Sequence, residues 1–138
     1  MRVPLAGSKA RGLLIAPDCS DRFGEIDETL SPDRLYDLLG TVDIGVCTRY
    51  IGPVPLLIMF DRGNTEDSTP TVHGPDGEVS IRGNVLVFGR DPEGSFKSLS
   101  DFEVGLLKSH TDLVRCDGKT YFALSDVTKN PVPMSVIG

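Results

Sequence analysis

The sequence predicts an α+β domain: a mixed, largely antiparallel sheet with two short helices packed on one face. Three observations carry this expectation. Helix starts occur at two separate places, Ser31-Pro32 and Ser100-Asp-Phe-Glu103, among six or more short apolar runs. Those runs are stopped by Gly, Pro and Asp rather than continued at helical spacing. Near the end, Asp117-Gly118 sits between Leu113–Cys116 and Tyr121–Leu124, a strong hairpin signal.

Taken in order, residues 1–10 read as a loose leader, 11–125 as one domain and 126–138 as a tail. Gly12 to Ala16 is an apolar run ended by Pro17-Asp18 and reads as a buried strand. Phe23 to Leu30 is extended and carries Glu25, Asp27 and Glu28. Ser31 caps a helix over Pro32 to Leu39, with proline at the first position, where its missing N–H costs nothing, and Gly40 as the stop. Leu35, Leu38 and Leu39 form its apolar face. Val42 to Tyr50 and Pro55 to Phe60 read as strands, with Pro55 confined to a strand start or an edge. Arg62 to Pro75 is polar and reads as a long loop of the kind that carries function. Glu78 to Ile81 and Gly83 to Gly89 are further strands. Ser100 and Glu103 make a capping box, with Leu99 and Val104 at hydrophobic-staple spacing, and the helix runs to about Ser109. The expected core is Leu14, Ile15, Ile26, Leu35, Leu38, Leu39, Val46, Leu57, Val85, Val87, Phe96, Leu99, Phe102, Leu106 and Phe122.

Composition narrows the function. The chain has 138 residues and a net charge of −6, enough for one core and without a basic stripe. Direct nucleic-acid binding is disfavoured, because it would lack the counterion-release term. The longest apolar run, Val54 to Phe60, is far too short for a membrane helix. Cys19, Cys47 and Cys116 are odd in number, widely spaced and form no CxxC, so they read as thiols in a reducing compartment. The protein is expected to be soluble and cytoplasmic, with no cofactor and no metal.

No recognised catalytic motif stands in the sequence. Asp18, Asp21, Glu25, Asp27 and Glu28 lack calcium-loop spacing and read as solvated turn residues. His73 and His110 have neither a nucleophile elbow nor a zinc-helix motif beside them. Gly89 to Gly94 lacks the Lys-Ser/Thr of a phosphate loop and reads as a turn. Arg62, Arg82 and Arg90, with Asn84, are the candidate ligand-binding residues: they lie at strand ends and in the adjoining loop, and arginine forks match phosphate and carboxylate.

The segment Ile81-x-Gly83-Asn-Val85-Leu-Val-Phe-Gly89-x-Asp91-x-x-Gly94-x-Phe96-x-Ser98-Leu99-Ser100-Asp101 resembles the second half of the family called domain of unknown function 3846. Leu14-Ile15-Ala16-Pro17, Glu25-Ile26-Asp27 and the short helix with Leu35 and Leu38-Leu39 resemble its opening, so the likeness covers about residues 12–109. Members tend to carry an Asn-Arg segment in mid-chain; here Asp61-Arg62-Gly63 stands nearest. The resemblance implies an accessory protein of a phage or mobile element that acts on a host pathway. The function expected is therefore non-enzymatic binding of a host protein or defence component. The alternative is a small-molecule binder that sequesters a nucleotide signal. The oligomeric state is not readable from the sequence.

Overall fold

A computed structural model describes residues 9–17, 22–63, 70–75, 79–116 and 118–132. The elements run β1 (Lys9–Ala16), β2 (Arg22–Thr29), α1 (Pro32–Leu39), β3 (Ile44–Ile51), β4 (Val54–Asp61), β5 (Pro70–His73), β6 (Val79–Arg82), β7 (Val85–Arg90), β8 (Phe96–Lys97), α2 (Asp101–Ser109), β9 (Thr111–Cys116) and β10 (Lys119–Leu124). The α+β class holds, but the strands form two sheets rather than one. The larger sheet has the order β2-β1-β7-β4-β3, all antiparallel, with β8 paired to β7. The smaller has the order β6-β5-β10-β9, mixed because β5 and β10 run parallel.

The helices do not share a face. Successive side chains of a strand point to opposite sides, and the central strands are apolar on both. Leu13, Ile15, Leu56, Ile58, Val85 and Val87 pack with α2 and the smaller sheet, through Val104, Leu107, Val72, Ile81 and Leu124. Leu14, Ala16, Met59, Leu86 and Phe88 pack with Leu35, Leu38 and Leu39 of α1. The larger sheet is thus the middle of three layers. Near-continuous apolar runs such as Gly12 to Ala16 and Val85 to Phe88 are what a strand covered on both faces requires.

Local chemistry sets the helices as expected. Ser31 accepts from the Arg34 amide at 3.2 Å, and Gly40, in the left-handed region at φ 71°, donates to the Tyr36 carbonyl. Around α2 the Ser100 hydroxyl accepts from the Glu103 amide at 3.1 Å, and the Glu103 carboxylate accepts from the Ser100 amide at 2.9 Å. Glu103 is itself buried, 3.7 Å from the Lys97 ammonium. Ser100→Ala should cost about 1 kcal/mol in denaturant melts. The sequence suggests a smaller cost for Glu103→Ala. Burial reverses that order, because removing this side chain also leaves a void at a buried position, while Lys97 stays solvated.

Several boundaries are corrected. The leader reading fails for Lys9 and Ala10, which extend β1 and pair with Thr29 and Glu28. The loop from Arg62 to Pro75 contains β5 at Pro70–His73, held by pairing to β6 and β10 rather than by its own hydropathy; residues 64–69 lie outside the described part. The tail is knitted in: Val127 is buried and Thr128 bridges Tyr50; residues 133–138 lie outside the described part. Of the expected core, Ile26, Val46, Phe96, Leu106 and Phe122 are half-buried. Phe102 is 63% exposed. Packing against Leu13, Ile15 and Val87 sets the rotation of α2 so that Glu103, Val104 and Leu107 face inward, and Phe102 is turned out. No helix among the described residues is long and apolar enough to cross a membrane.

Candidate functional site

The β3 flank of the larger sheet combines an open strand edge with a cleft. Pro55 has no N–H, and its cross-strand neighbour is Tyr50. That position suits a pair that makes no ladder bonds, so Tyr50 directs its N–H and C=O outward. Both groups are used there: the Tyr50 amide donates to the Thr128 carbonyl, and the Thr128 amide donates to the Tyr50 carbonyl, each at 2.9 Å. Antiparallel alternation then points the backbone groups of Val46 and Thr48 outward as well. Neither outward amide has a backbone partner among the described residues. The Thr48 carbonyl accepts from Arg49 Nη1 at 2.9 Å, while the buried Arg49 Nε has no partner among the described residues.

The chain turns away just where it would have continued along this edge. The Thr128 hydroxyl donates to the Asn130 carbonyl at 2.7 Å, and the Val132 amide donates to the Gly52 carbonyl at 2.9 Å. On the α1 face beside the edge lies a cleft of about 490 Å³, lined by Val46, Leu57, Glu93, Gly94, Ser95 and Phe96. Its floor comes from β3 and β4, and its wall is the β7–β8 turn. That turn is closed by the Asp91 carboxylate, which accepts from the Glu93 amide at 3.0 Å and the Ser95 amide at 2.8 Å. Gly94 supplies the positive φ of 87° that the turn needs. With Asp91 occupying those amides, Gly89 to Gly94 is a hairpin turn and not a phosphate cradle.

The four candidate ligand residues do not converge. Arg62, past the end of β4, pairs with Asp43 at 2.7 Å. Arg82 ends β6, at the same end of β7 as Arg62 by the Phe60–Val85 register. Asn84 is buried and donates to the Leu39 carbonyl at 3.3 Å, tying the end of α1 to the sheet. Arg90 ends β7 at its other end, about 20 Å from Asn84 at strand rise, with its guanidinium beside Gly94. Arg90 is the one candidate near the cleft. The β3 edge was not legible in advance: Pro55 lies in β4, and its missing N–H would point away from β3, so it marks only where β4 stops pairing with β7, at Leu56–Gly89.

The other chemistry-bearing groups have structural partners. Glu25 accepts from Arg11 and Lys108, and Arg11 also binds Asp101, so an ion-pair cluster joins β1, β2 and α2. Lys108 and Arg11 hold the Glu25 carboxyl below its ordinary value. Arg34 does the same for Glu28. Asp18 and Asp21 lie outside the described residues, and no cluster able to hold a metal occurs among those described. His110 Nδ1 meets Asp126 Oδ2 at 3.2 Å, but the Ser125 hydroxyl donates to Asp112 and to the His110 carbonyl, not to the ring. These residues therefore form no Ser-His-Asp relay. Burial pushes the Cys47 thiol up, away from the reactive thiolate. Cys19 and the Cys116 side chain lie outside the described part.

His73 is different. Its Nε2 is buried without a partner among the described residues. Burial lowers its pKa from the ordinary 6.5, and Arg82 adds repulsion, against a raising hydrogen bond with the backbone of Pro70. The unfolded chain therefore takes up this proton first as pH falls. Stability should be complete above 6.5, decline below it, and level off under the lowered value of the folded state. The paired carboxylates act only further down, below the ordinary value of 4.5. Urea midpoints measured between about pH 7 and about pH 5 should fall for the native chain and stay flatter for His73→Gln.

Comparison with protein-family models, with curated proteins and with solved structures finds no match.

Proposed function

We propose that this chain is a non-catalytic binding protein that receives an extended segment of a partner protein along β3. The observation that carries this reading is the open edge at Val46 and Thr48 lying beside the Val46–Leu57–Phe96 cleft. An added strand draws affinity from main-chain hydrogen bonds at such an edge. It draws specificity from a pocket that takes its alternate side chains. The cleft offers apolar surface from Val46, Leu57 and Phe96 and one carboxylate, Glu93. The resemblance to domain of unknown function 3846 supports the setting: an accessory protein of a phage or mobile element whose partner is a host protein or defence component. Sequestration of a nucleotide signal has less support, since Arg62 and Arg82 stand at one end of β7 and Arg90 at the other.

Thr48→Pro tests the docking reading. It deletes an outward N–H and leaves the ladder to β4 intact, the edge position at which proline is tolerated. Losing one or two strand-addition bonds is worth roughly tenfold in affinity. A host protein captured by the native chain should be lost or weakened by about that factor with Thr48→Pro. Val46→Glu, which places a charge in the cleft, should act the same way, and Arg62→Lys should not. Melting curves confirm that each variant folds. Equal capture by all of them would overturn the docking site. A thermal shift with cyclic dinucleotides or ADP-ribose that is abolished by Arg90→Lys would instead favour the nucleotide reading.

A further inference from the structure

We infer that residues Thr128 to Val132 are a strap with a second, zipped position on β3, in which the chain covers its own docking edge. The strap is already anchored at one point of that edge, through the reciprocal Tyr50–Thr128 bonds. Carrying this antiparallel register forward by two residues at a time sets Asn130 opposite Thr48 and Val132 opposite Val46. These are the residues of β3 whose backbone groups point outward.

The sequence of the strap fits that register. Pairs at this parity exchange both of their N–H···O bonds, so Asn130 and Val132 must each supply an N–H, and each has one. The residues between them point their nitrogens away from β3. Pro131 occupies such a position, and Pro133 continues the same parity. Proline is acceptable only where the ladder needs no donor. On the outer side it also blocks addition of a further strand. A register shifted by one residue would instead aim both prolines at β3.

The side chains agree with the backbone. Directly opposed residues share a face of the sheet, so a zipped Val132 stands beside Val46 over the cleft. In the observed position Val132 is 46% exposed and its amide is engaged by the Gly52 carbonyl. Zipping exchanges that bond, and the Arg49–Thr48 contact, for two reciprocal pairs. Its consequence is regulatory and rests on the docking reading: a partner strand would compete with the strap, and its apparent affinity would fall by the fraction of chains left open. The strap itself needs no partner and is tested without one.

The test is cysteine trapping in the full chain, in a background with Cys19, Cys47 and Cys116 replaced by Ser. Val46→Cys with Val132→Cys should form an intramolecular disulfide under mild oxidation, identified by peptide mass spectrometry. Opposed residues in the zipped register have Cα atoms about 5.5 Å apart, inside the disulfide range. In the observed position Val132 is held at Gly52, six residues along from Val46 and roughly 20 Å away at strand rise. Tyr50→Cys with Thr128→Cys is the control for the anchored end. Asn130→Pro, which removes one inward donor, should abolish the 46–132 crosslink and leave the 50–128 crosslink. Hydrogen exchange at the Val46 and Thr48 amides of the native-cysteine chain gives an independent reading, and Asn130→Pro should accelerate it. A 50–128 crosslink without a 46–132 crosslink, or exchange unchanged by Asn130→Pro, would overturn the strap. Docking would remain testable through Thr48→Pro.

Discussion

Phe88→Ala should lower the unfolding free energy by about 3–5 kcal/mol, the largest effect expected of a single truncation here. Phe88 is fully buried in the middle layer, at the centre of the face that α1 covers. Its ring meets that of Phe96 edge to face, with centroids 5.6 Å apart and planes at 82°. Its strand neighbour is Leu57, the floor of the cleft. Truncation removes the ring's transfer energy and leaves a void that strands fixed on both sides cannot close. Since a domain of this size is stable by only about 5–15 kcal/mol, the variant should melt far below the native chain or fail to fold. Phe96→Ala, at a half-buried position, should cost clearly less. Urea unfolding of both variants measures the difference, and a loss under about 1 kcal/mol for Phe88→Ala would mean that the α1 face is not packed as described.

Gly12→Ala should cost about 1–3 kcal/mol, although it adds a single carbon to a strand. A Cβ on Gly12 would stand 2.7 Å from Phe88 Cε1 and 3.0 Å from the Val87 carbonyl oxygen. The glycine therefore makes room for the Phe88 ring against β1. The ring can give by a few tenths of an ångström, but the carbonyl belongs to the central ladder and cannot. Phe88→Leu should therefore recover part of the Gly12→Ala cost and not all of it. The double-mutant cycle should show a coupling within the 0.5–3 kcal/mol typical of touching residues. Strict additivity would mean that the two positions do not meet.

Much of the local structure was legible because its causes are local. Ser31, Pro32 and Gly40 define α1 through hydrogen bonds within a few residues of each other. Ser100 and Glu103 satisfy each other's amides, and that reciprocity needs nothing from the rest of the chain. The β9–β10 hairpin follows from its two-residue turn, with Cys116 paired to Lys119. β5 was not legible, since Pro70-Thr-Val-His73 has no hydropathy of its own and becomes a strand only because β6 and β10 offer it bonds. The outward turn of Phe102 was missed because the helix holds Phe102, Leu106 and Leu107, and only contacts with Leu13, Ile15 and Val87 decide which of these faces inward.

The candidate site divides in the same way. The arginines were conspicuous by residue type, but type cannot say which ends of the strands become neighbours. Strand order sends Arg90 to one end of β7 and Arg62 and Arg82 to the other. The β3 edge has no mark of its own in the chain, since Pro55 belongs to β4 and marks only where that strand stops pairing with β7. The sequence by itself determined the two helices, the hairpin, the acidic charge and the doubly apolar strands, because caps, turns and side-chain polarity act over a few residues. The tertiary structure alone decided the split into two sheets, the placing of one helix on each face, and the edge at Val46 and Thr48 that no described strand covers. These depend on which strands pair across long stretches of chain, where many residues share the choice and no single motif encodes it.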